Sequence, residues 1–537
     1  MDILVSFVLP FASFLILIVN AYVLFPLISS PLRRRDREQK ERKESDLPRI
    51  SILLPAYREG KTLLRTVNNI KRMNYPNKKL ELIIVTEIND PDTSRIAKRA
   101  ASSAEQQGIV IKHVIVKDTP EPRGKPRALN QAFEHTTGEI VGVLDAEDAI
   151  DTELCRKVAD AICVEGYDGV QGILDMANDY DGWLNVHFRS EYGYWYRLYL
   201  PELNASGYPF PFGGTTNFFR AETLRRIGGW DSYNLTEDFE IGMRFHVSGL
   251  LVKMLDAVTR EESPTSFRAW LRQRTRWQRG KIQTMRKIAR IKGCSIGRKT
   301  HMLMSCLVPH VGVINIIGIF LSSYIFVSRQ SIPYEYTMLL FPNLLVIFVL
   351  AYLHGLGYLE ATKDECMQRR LLIAFLAGAT LPAYWVLHWI ADLRAIKQEF
   401  VEKRIVWEKM EHRMRHMGVK GFFGISNLVN LLEKSGYSVS AGKKLRGTSG
   451  NDYLFDFVCK QAGSIIVIKG IEAEENVSET DVIELVTVMR ETGVSGMLLV
   501  ASPALSREAH DTAKKFGLEV IETENLNYGV TLPVPSF

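Results

Sequence analysis

The segment from Ile140 to Ile150, IVGVLDAEDAI, constrains more than any other what this chain can fold into. It is an apolar run that ends abruptly in three carboxylates, Asp145, Glu147 and Asp148. A parallel strand buried on both faces has this apolar composition, and ligands of open α/β sheets bind beyond the carboxyl ends of the strands. Hard divalent metals take oxygen ligands and bridge carboxylates to substrate phosphates. The segment therefore predicts a buried parallel strand whose acidic end faces a cation.

Helix capping is the alternative interpretation of the same acids. Asp148 and Asp151 could cap and charge the first turn of a following helix without binding a ligand. Two upstream segments favour the ligand site, because RISILLPAYREG and LELIIVTEIND are also apolar strands that break into polar loops. The polar ends of these two strands carry Pro55, Ala56, Tyr57, Glu59 and Glu87. Three strands therefore present acids on one predicted edge.

Other segments add cations and a second acidic pair. In GKPRALNQAF, Gly124, Lys125 and Arg127 precede a helical run, and cations beside a helix start suit a diphosphate. In NLTEDFEIGMRF, Glu237 and Asp238 lie at a predicted helix start. The basic segment SFRAWLRQRTRWQRGK carries Gln273, Arg274, Arg276 and Trp277.

The order PAYRE, GKPRALN, DAED, TED and QRTRW resembles that of inverting family-2 glycosyltransferases with a GT-A fold. These are of the membrane-integrated kind that includes cellulose and hyaluronan synthases. The resemblance covers residues 45–415, and its specificity comes from five short motifs in the right order. It implies an α/β fold class with a GT-A, or nucleotide-diphospho-sugar transferase, domain and transmembrane helices, and the residues after about 420 predict a further small C-terminal α/β domain.

The resemblance also implies a pocket for a UDP-sugar donor. The matching nucleotide positions are Pro55, Ala56, Tyr57, Glu59 and Glu87 for uracil and ribose, Lys125 and Arg127 near the diphosphate, and Asp145. Asp145 and Glu147 match the two arms of the family's D-x-D metal motif, and Asp148 lies next to them. The usual second aspartate is a glutamate here, so which of Glu147 and Asp148 coordinates directly stays open. The implied cofactor is Mg²⁺ or Mn²⁺.

The catalytic residues that the resemblance implies are Glu237, Asp238, Gln273, Arg276 and Trp277. Asp238 matches the base of the TED motif, which takes the proton of the acceptor hydroxyl on the face opposite the departing diphosphate. In the Q-x-x-R-W signature, a guanidinium can bind diphosphate and an indole can stack on a sugar. The alternative is an amphipathic interfacial helix, and both descriptions can hold together.

The stretch PFPFGGTTNFFR resembles the family's loop that faces the acceptor. A plain glycine turn is the alternative interpretation. The residues of this loop are Gly213, Gly214, Thr215, Thr216 and Asn217.

Four apolar stretches predict membrane spans: 3–28, 303–327, 338–359 and 371–391. The basic run RRRDREQKERK after the first stretch predicts that the catalytic domain is cytoplasmic. One span before that domain and three after it would place the C-terminal tail on the far side of the membrane. Basic residues directly follow the last stretch, however, and basic flanks favour the cytoplasmic side. One stretch is therefore expected to lie in the interface or fold back, with Pro309 or Pro382 at the break. His310, Asn315, His354 and His388 lie within these runs and could line an acceptor passage or make interhelical contacts.

Charge and cysteine usage agree with a cytoplasmic membrane enzyme. The six cysteines show no C-x-x-C pair or zinc spacing. The net charge of +6 is modest for 537 residues, and we expect membrane-surface binding and no nucleic-acid partner. The predicted organisation is an N-terminal transmembrane helix (1–30), a basic cytoplasmic linker (31–48), the GT-A catalytic domain (49–265), amphipathic interfacial helices with the QRTRW motif (266–300), a transmembrane region (301–395), a basic linker (396–420) and a soluble α/β module (421–537).

The soluble module resembles the restriction-endonuclease-like fold of Mrr-type nucleases. Helical spacing in GISNLVNLLEKSGYSV is followed by paired strands, YLFDFVCK and SIIVIKGI, and then by a capped helix and a strand–helix–strand segment. Asp456 and Lys469 match the nuclease aspartate and lysine, but Val467 replaces the metal-facing Glu or Gln. We therefore predict a retained fold used for regulation or interaction, with an unrelated small α/β domain as the alternative.

The predicted function is inverting, metal-dependent transfer of a sugar from a UDP-sugar to a polysaccharide acceptor at the cytoplasmic membrane face, in processive or single steps. Single transfer to a membrane lipid is the alternative. A catalytically silent receptor and a membrane-anchored nuclease are the competing classes, and Asp145, Asp238, Arg276 and Val467 disfavour them. The sequence does not name the sugar, because a few contacts in the pocket select it.

Overall fold

The computed structural model describes residues 9–29, 46–104, 108–176, 182–208, 210–264, 266–291, 294–310, 334–363, 367–402, 432, 436–449, 452–461, 464–472, 477–502 and 504–522. The chain divides into two compact units, Met1–His412 and Arg413–Phe537. Four predicted features lie wholly or mostly outside the described residues. They are the basic run RRRDREQKERK, most of the apolar stretch 303–327 with Asn315, most of the basic linker 396–420, and most of the helix in GISNLVNLLEKSGYSV.

A mixed eight-stranded sheet forms the centre of the first unit. Its strands are β1 (Ile50–Ala56), β2 (Leu80–Glu87), β3 (Val110–Val116), β4 (Ile140–Val143), β5 (Ala149–Ile150), β6 (Gly169–Met176), β7 (Asn217–Arg220) and β8 (Val252–Glu261). Their order is β3-β2-β1-β4-β7-β6-β8-β5. The strands from β3 to β4 run parallel, and β7 lies antiparallel between β4 and β6.

The parallel strands are buried because both faces of the sheet are covered. All four residues of β4 are buried, as are all but one residue each of β1 and β2. In the register, Ile50 pairs with Leu80 on one side and with Ile140 on the other. The prediction of a buried parallel strand at IVGV is therefore confirmed. The strand ends at Val143, before the three carboxylates.

Helices complete the first unit. Their bounds are α1 (Leu9–Ser29), α2 (Gly60–Lys71), α3 (Pro91–Ala104), α4 (Lys125–Phe133), α5 (Leu154–Ala159), α6 (Trp183–Tyr192), α7 (Leu200–Ala205), α8 (Ala221–Arg226), α9 (Glu237–Val247), α10 (Phe267–Arg290), α11 (Ile296–Leu307), α12 (Tyr334–Ala361), α13 (Met367–Ala379) and α14 (Leu381–Lys397). A π-helical turn, Gly193–Tyr199, joins α6 to α7. One apolar core contains Leu53 and Val141 and a second contains Ile52 and Ile140, because neighbouring strand residues point to opposite faces.

One described helix is long and apolar enough to cross a membrane, in the window Pro342–Ala361 with a mean hydropathy of 1.8. The described apolar part of α1, Pro10–Val19, is shorter. The stretch 371–391 is the broken one, at the second of the two expected positions, because α13 and α14 meet at 54°. The break lies at Thr380, beside Pro382, which cannot continue the helix of α13.

The apolar helix α12 packs closely on the catalytic part of the chain. A β-carbon at Gly193 would lie 1.9 Å from the carbonyl oxygen of Gly357, and one at Gly357 would lie 2.3 Å from that of Ser190. Small residues permit such close approach between helices. The glycines therefore place the backbone of α12 directly against the turn that follows α6.

The second unit is a five-stranded sheet with two described helices. Its elements are β9 (Ser438–Arg446), β10 (Asp452–Gln461), β11 (Ser464–Glu472), α15 (Glu479–Thr492), β12 (Gly496–Ser502), α16 (Arg507–Lys515) and β13 (Glu519–Glu522), and the strand order is β13-β12-β11-β10-β9. The predicted pairing of YLFDFVCK with SIIVIKGI is confirmed as antiparallel, and Ser478 caps α15 through a capping box. Val467 is fully buried in the core of this unit. Strand β9 was not predicted.

Candidate active site

The carboxyl ends of β1, β2 and β4 meet at one cavity of about 1070 Å³. Because these strands are parallel neighbours, the residues that follow them lie along one edge of the sheet. Most of the residues predicted from the sequence line this cavity: Pro55, Ala56, Tyr57, Glu59, Glu87, Lys125, Asp145, Glu147, Glu237, Asp238, Gln273, Arg276 and Trp277. Gly213 and Gly214 of the glycine loop line it as well. The other predicted residues do not line it: Arg127, Asp148, and Thr215, Thr216 and Asn217 of the glycine loop.

Lys125 already places a cation on the Asp145 carboxylate. The Lys125 ammonium donates to Asp145 Oδ1 and, at 2.6 Å, to the carbonyl oxygen of Gly214. Burial opposes protonation, but Asp145 and then Glu237 raise the pKa of Lys125 above its ordinary value. Asp145 is therefore a cation-binding carboxylate at the cavity wall.

A divalent metal fits Asp145 and Glu147 as a site that the substrate completes. Among the described residues, no group of three or more His, Cys, Asp or Glu side chains is arranged to hold a metal ion. Mg²⁺ in particular is commonly bound by one or two carboxylates together with water and substrate phosphates. Two carboxylates on the wall of a large cavity match that mode of binding.

The structure corrects the interpretations of Asp148 as a metal ligand and as a helix cap. Its side chain is fully buried, where it accepts hydrogen bonds from the Asp145 amide at 2.7 Å and from the Thr215 hydroxyl. Burial, followed by the Asp145 charge, raises the pKa of Asp148 well above its ordinary value. The cap position of α5 is Glu153, so Asp148 instead shapes the turn that holds Asp145.

The structure also corrects the placement of Arg127 near the diphosphate. Arg127 is 1% exposed, and its guanidinium donates to Glu87 at 3.0 Å. Burial raises the pKa of Glu87, and the Arg127 charge opposes this. Arg127 therefore supports Glu87 from behind the cavity wall, since its position in α4 points it at β2.

Glu237 and Asp238 lie at the start of α9, within the same cavity. The Asp238 carboxylate lies 3.5 Å from where a β-carbon on Gly214 would stand, so the glycine loop lies directly beside this acid pair. Burial raises the pKa of Asp238 and that of Glu237, and for Glu237 the Asp238 charge adds to the increase. A carboxylate with a raised pKa is a stronger proton acceptor than an exposed one.

Helix α10 fixes the loop that carries this acid pair. Arg276 donates to the carbonyl oxygen of Leu235 at 2.8 Å, and the Leu235 amide donates to Gln283 Oε1 at 3.0 Å. The Asn234 amide group donates to the Thr284 hydroxyl at 2.9 Å. The Q-x-x-R-W helix and the TED loop are thus one hydrogen-bonded unit.

Within the QRTRW segment, Gln273, Arg274, Arg276 and Trp277 all line the cavity, and Arg274 is also held by an ion pair. Arg274 pairs with Glu191 at 2.5 Å, and its guanidinium carbon lies 4.5 Å from the Trp277 ring centre. The buried Gln273 Oε1 has no hydrogen-bond partner among the described residues. This oxygen is available to a ligand.

Sequence reasoning missed several cavity residues. Glu261, at the end of β8, lines the cavity, and burial raises its pKa to about 7 even though Tyr192 hydrogen-bonds to it. Glu191 and Lys281 line the cavity as well. An acid at a strand end was a usable signal for Glu261, as it was for Glu87, but the segment TREESPT is not an apolar run and drew no attention.

The far end of the same cavity is apolar and aromatic. Its walls come from the π-helical turn and from helices α1, α11, α12 and α14. These wall residues are Ile16, Tyr194, Trp195, Tyr199, Val308, Ile347, Leu350, Trp385 and Trp389. The cavity therefore runs from carboxylates at the sheet edge to the apolar helices.

Comparisons with known proteins agree with this architecture. Residues 48–280 match the family described as glycosyltransferase like family 2, and residues 426–528 match the family described as restriction endonuclease. The chain is 24% identical over 387 residues to the probable glycosyltransferase YdaM of Bacillus subtilis, covering 69% of this chain and 88% of that protein. It is 26% identical over 253 residues to a beta-monoglucosyldiacylglycerol synthase of Trichormus variabilis, covering 46% of this chain and 52% of that protein.

A solved structure shares the fold. The mannosyltransferase PcManGT from Pyrobaculum calidifontis, in complex with GDP-Man and Mn²⁺, superposes with a TM-score of 0.50 at 17% identity. The superposition covers 74% of this chain and all of that chain. The motif order, the sheet edge and these matches agree: residues 48–280 are similar to family-2 glycosyltransferases and have a GT-A fold, and residues 426–528 match a restriction endonuclease family.

Proposed function

We propose that this enzyme transfers a hexose, with inversion, from a UDP-sugar to a lipid acceptor at the cytoplasmic face of a membrane. The observation that carries the proposal is the continuous cavity, which joins the Asp145 and Asp238 carboxylates to apolar side chains of α1, α12 and α14. A polar nucleotide and an acyl chain need opposite environments. A cavity of about 1070 Å³ exceeds the usual size of a pocket for one small ligand.

The UDP-sugar donor binds at the carboxyl ends of the parallel strands. Pro55, Ala56 and Tyr57 hold the base, and Glu59 and Glu87 reach the ribose. Asp145 and Glu147 would hold Mg²⁺ or Mn²⁺, which when bound stabilises the negative charge that develops on the departing diphosphate. Lys125 moves its ammonium between the Asp145 carboxylate and the diphosphate, because both are anions within the reach of one flexible side chain.

Asp238 acts as the base in a single displacement. The acceptor hydroxyl oxygen forms a bond to the anomeric carbon of the sugar, and its proton passes to Asp238. The bond from the anomeric carbon to the diphosphate oxygen breaks, and the electron pair leaves with UDP. Arg276 and Lys125 supply positive charge beside the acid pair, and Trp277 stacks on the sugar or the acceptor.

The acceptor end favours a lipid over a polymer. Isoleucine, leucine and tryptophan side chains from three apolar helices suit an acyl chain. The similarity to a protein described as a beta-monoglucosyldiacylglycerol synthase supports the same choice. Polysaccharide is the second candidate, since Tyr192, Trp195, Tyr196 and Tyr199 offer rings on which sugars stack.

The other parts of the chain anchor the enzyme in the membrane and regulate it. The helix window Pro342–Ala361 and the bent α13–α14 pair insert into the membrane, and the catalytic part lies on the cytoplasmic side. In the second unit, a buried valine at position 467 leaves Asp456 and Lys469 without the third metal-facing group. That unit serves regulation or interaction and does not cut DNA.

Radiolabelled transfer by the purified full chain in lipid nanodiscs tests the proposal. The donors are a panel of UDP-sugars, and mass spectrometry identifies the product. We expect Asp238→Asn to reduce the rate by about 10²–10⁴-fold while UDP binding stays nearly unchanged, because a base acts in the transition state.

Asp92→Asn, at an exposed acid of α3, is the matched control and should keep the wild-type rate. Near-normal turnover by Asp238→Asn would refute the assignment of the base. Labelled oligosaccharide in place of labelled lipid would select the second candidate.

A further inference from the structure

Lys281 is a cation that faces the cavity without an anion. It lies on α10 one turn beyond Trp277 and two turns beyond Gln273, so the three side chains share one face of the helix. All three line the cavity. Among the described residues, the Lys281 ammonium makes no hydrogen bond and no salt bridge, and it lies 5.8 Å from the centre of the Phe239 ring.

The neighbouring charges do not neutralise Lys281. Arg274, about two turns before it on α10, is already paired with Glu191 at 2.5 Å. Glu191 and Asp392 act on Lys281 only through space. Burial lowers the pKa of Lys281, which is the cost of holding a charge away from water without a partner. An anionic ligand would remove that cost.

Lys281 lies beside Phe239, the residue after Asp238, on the side of the cavity that faces α11 and α14. The groups that act on it electrostatically include Cys306 of α11 and Asp392 of α14. Lys125 is the cation at the other end, where it is surrounded by Asp145, Glu237 and Asp238. An anion bound by Lys281 therefore belongs to the molecule that enters between the apolar helices.

We propose that Lys281 binds the phosphate of an anionic phospholipid acceptor, a phosphodiester lipid with a free hydroxyl in its headgroup. This inference rests on the proposed lipid acceptor and specifies its chemical class. The hydroxyl reaches Asp238, the phosphate pairs with Lys281, and the acyl chains lie against α1, α12 and α14. Lys281 is a specificity residue because it binds the acceptor and takes no part in the bonds that form and break, which are those of the displacement described above.

The test compares an anionic and a neutral hydroxylated lipid. Full-chain enzyme in nanodiscs receives labelled UDP-sugar and either phosphatidylglycerol or diacylglycerol, with a non-hydroxylated anionic lipid added to keep the surface charge equal. We expect the wild type to prefer phosphatidylglycerol in kcat/KM by about tenfold or more, since water screens an ion pair inside the cavity less than one at the protein surface. Lys281→Met should lose this preference and keep its rate on diacylglycerol. Lys287→Met, on the same helix but outside the cavity, is the matched control.

Each other outcome has a distinct meaning. Equal use of both lipids by the wild type overturns the inference but leaves the proposed function standing. Loss on both lipids with weaker UDP binding in Lys281→Met would place this lysine on the donor and also overturns it. If soluble glycerol phosphate were as good an acceptor as phosphatidylglycerol, a phosphate without acyl chains would be sufficient. That result would contradict the inference that Lys281 binds a lipid headgroup. Absence of transfer to any acceptor by the wild type would remove the proposed function and this inference together.

Discussion

Gly280 is the position where a single methyl group should separate the acid pair from α10. A β-carbon at position 280 would lie 2.1 Å from Thr236 Oγ1 and 2.7 Å from Thr236 Cβ. Rotating the threonine side chain moves its oxygen but not its β-carbon, so the backbone itself must yield. Non-bonded carbons rest about 3.5–4.0 Å apart, and the helix and loop must therefore move apart by about 1 Å.

Two opposing energies act on the stability of Gly280→Ala. Alanine in a helix interior is favoured over glycine by about 1 kcal/mol, whereas overpacking costs about 1–3 kcal/mol. The net loss of stability is thus small, and activity is the sensitive measurement. A displacement of about 1 Å between Arg276 and the Leu235 carbonyl breaks their 2.8 Å hydrogen bond and shifts Asp238. Misplacement of that size costs about 10²-fold in rate, which we expect in kcat.

Steady-state transfer rates at saturating donor, together with thermal unfolding, check this prediction. Gly297→Ala is the matched control, because it is also helical and nothing lies within 4 Å of the added carbon. In a Thr236→Gly background, Gly280→Ala should have little further effect, since the overlapping atoms are gone. A Gly280→Ala enzyme with wild-type kcat would refute the idea that this contact positions the base.

The remaining predictions concern protonation, metal, stability and the tail. Burial raises the pKa of Asp238 and the base must be ionised, so kcat should fall as pH drops through a value above the ordinary aspartate range; an acid limb within that range would contradict this. Asp145→Ala should weaken UDP binding with Mn²⁺ or Mg²⁺ present but change it little in chelator, as calorimetry can measure; equal loss in both would indicate a structural role. Burial raises the pKa of Glu261 from 4.5 to about 7, so the folded state binds this proton more tightly than the unfolded chain and its stability falls as pH rises across that interval. The substitution Glu261→Gln removes this loss of stability, so the Tm of the variant relative to the wild type should increase from a pH of about 5 to about 8. A difference in Tm that does not change with pH would contradict this prediction. Truncation after residue 418 should leave transfer intact, and the isolated tail should fold but not cleave DNA; metal-dependent cleavage that is lost in Asp456→Ala would make the enzyme bifunctional.

The sheet edge could be predicted because its signals are local. An apolar run followed by polar residues marks the end of a buried strand, and this pattern placed Tyr57, Glu87 and Asp145 at one cavity. The TED and QRTRW motifs were found the same way, as short patterns near predicted helices. What these signals have in common is that a few neighbouring residues determine them.

The rest of the site depends on contacts between distant segments, which no local pattern encodes. Asp145 and Asp148 are the same residue type three positions apart, yet only the turn and Thr215 decide that Asp148 is buried. The sequence suggests that Arg127 is a diphosphate ligand, but in the fold its guanidinium donates to Glu87, 40 positions away. The break at Thr380 had a partial local signal: hydropathy joined α13 and α14 into one stretch, and Pro382 was one of two candidate positions for a break.

One helix links the two ends of the cavity. Arg276 of α10 holds the loop of the base through Leu235, and the indole N–H of Trp270, further back on α10, donates to the Tyr384 hydroxyl of α14 at 3.3 Å. A shift of α14 when an acceptor enters would therefore act on α10, and through it on the position of Asp238. Since a base must be aligned to within a fraction of an ångström to be effective, acceptor binding is itself a means of completing the catalytic arrangement. Hydrolysis of the donor by water, which makes no contact with α14, should then be much slower than transfer to an acceptor.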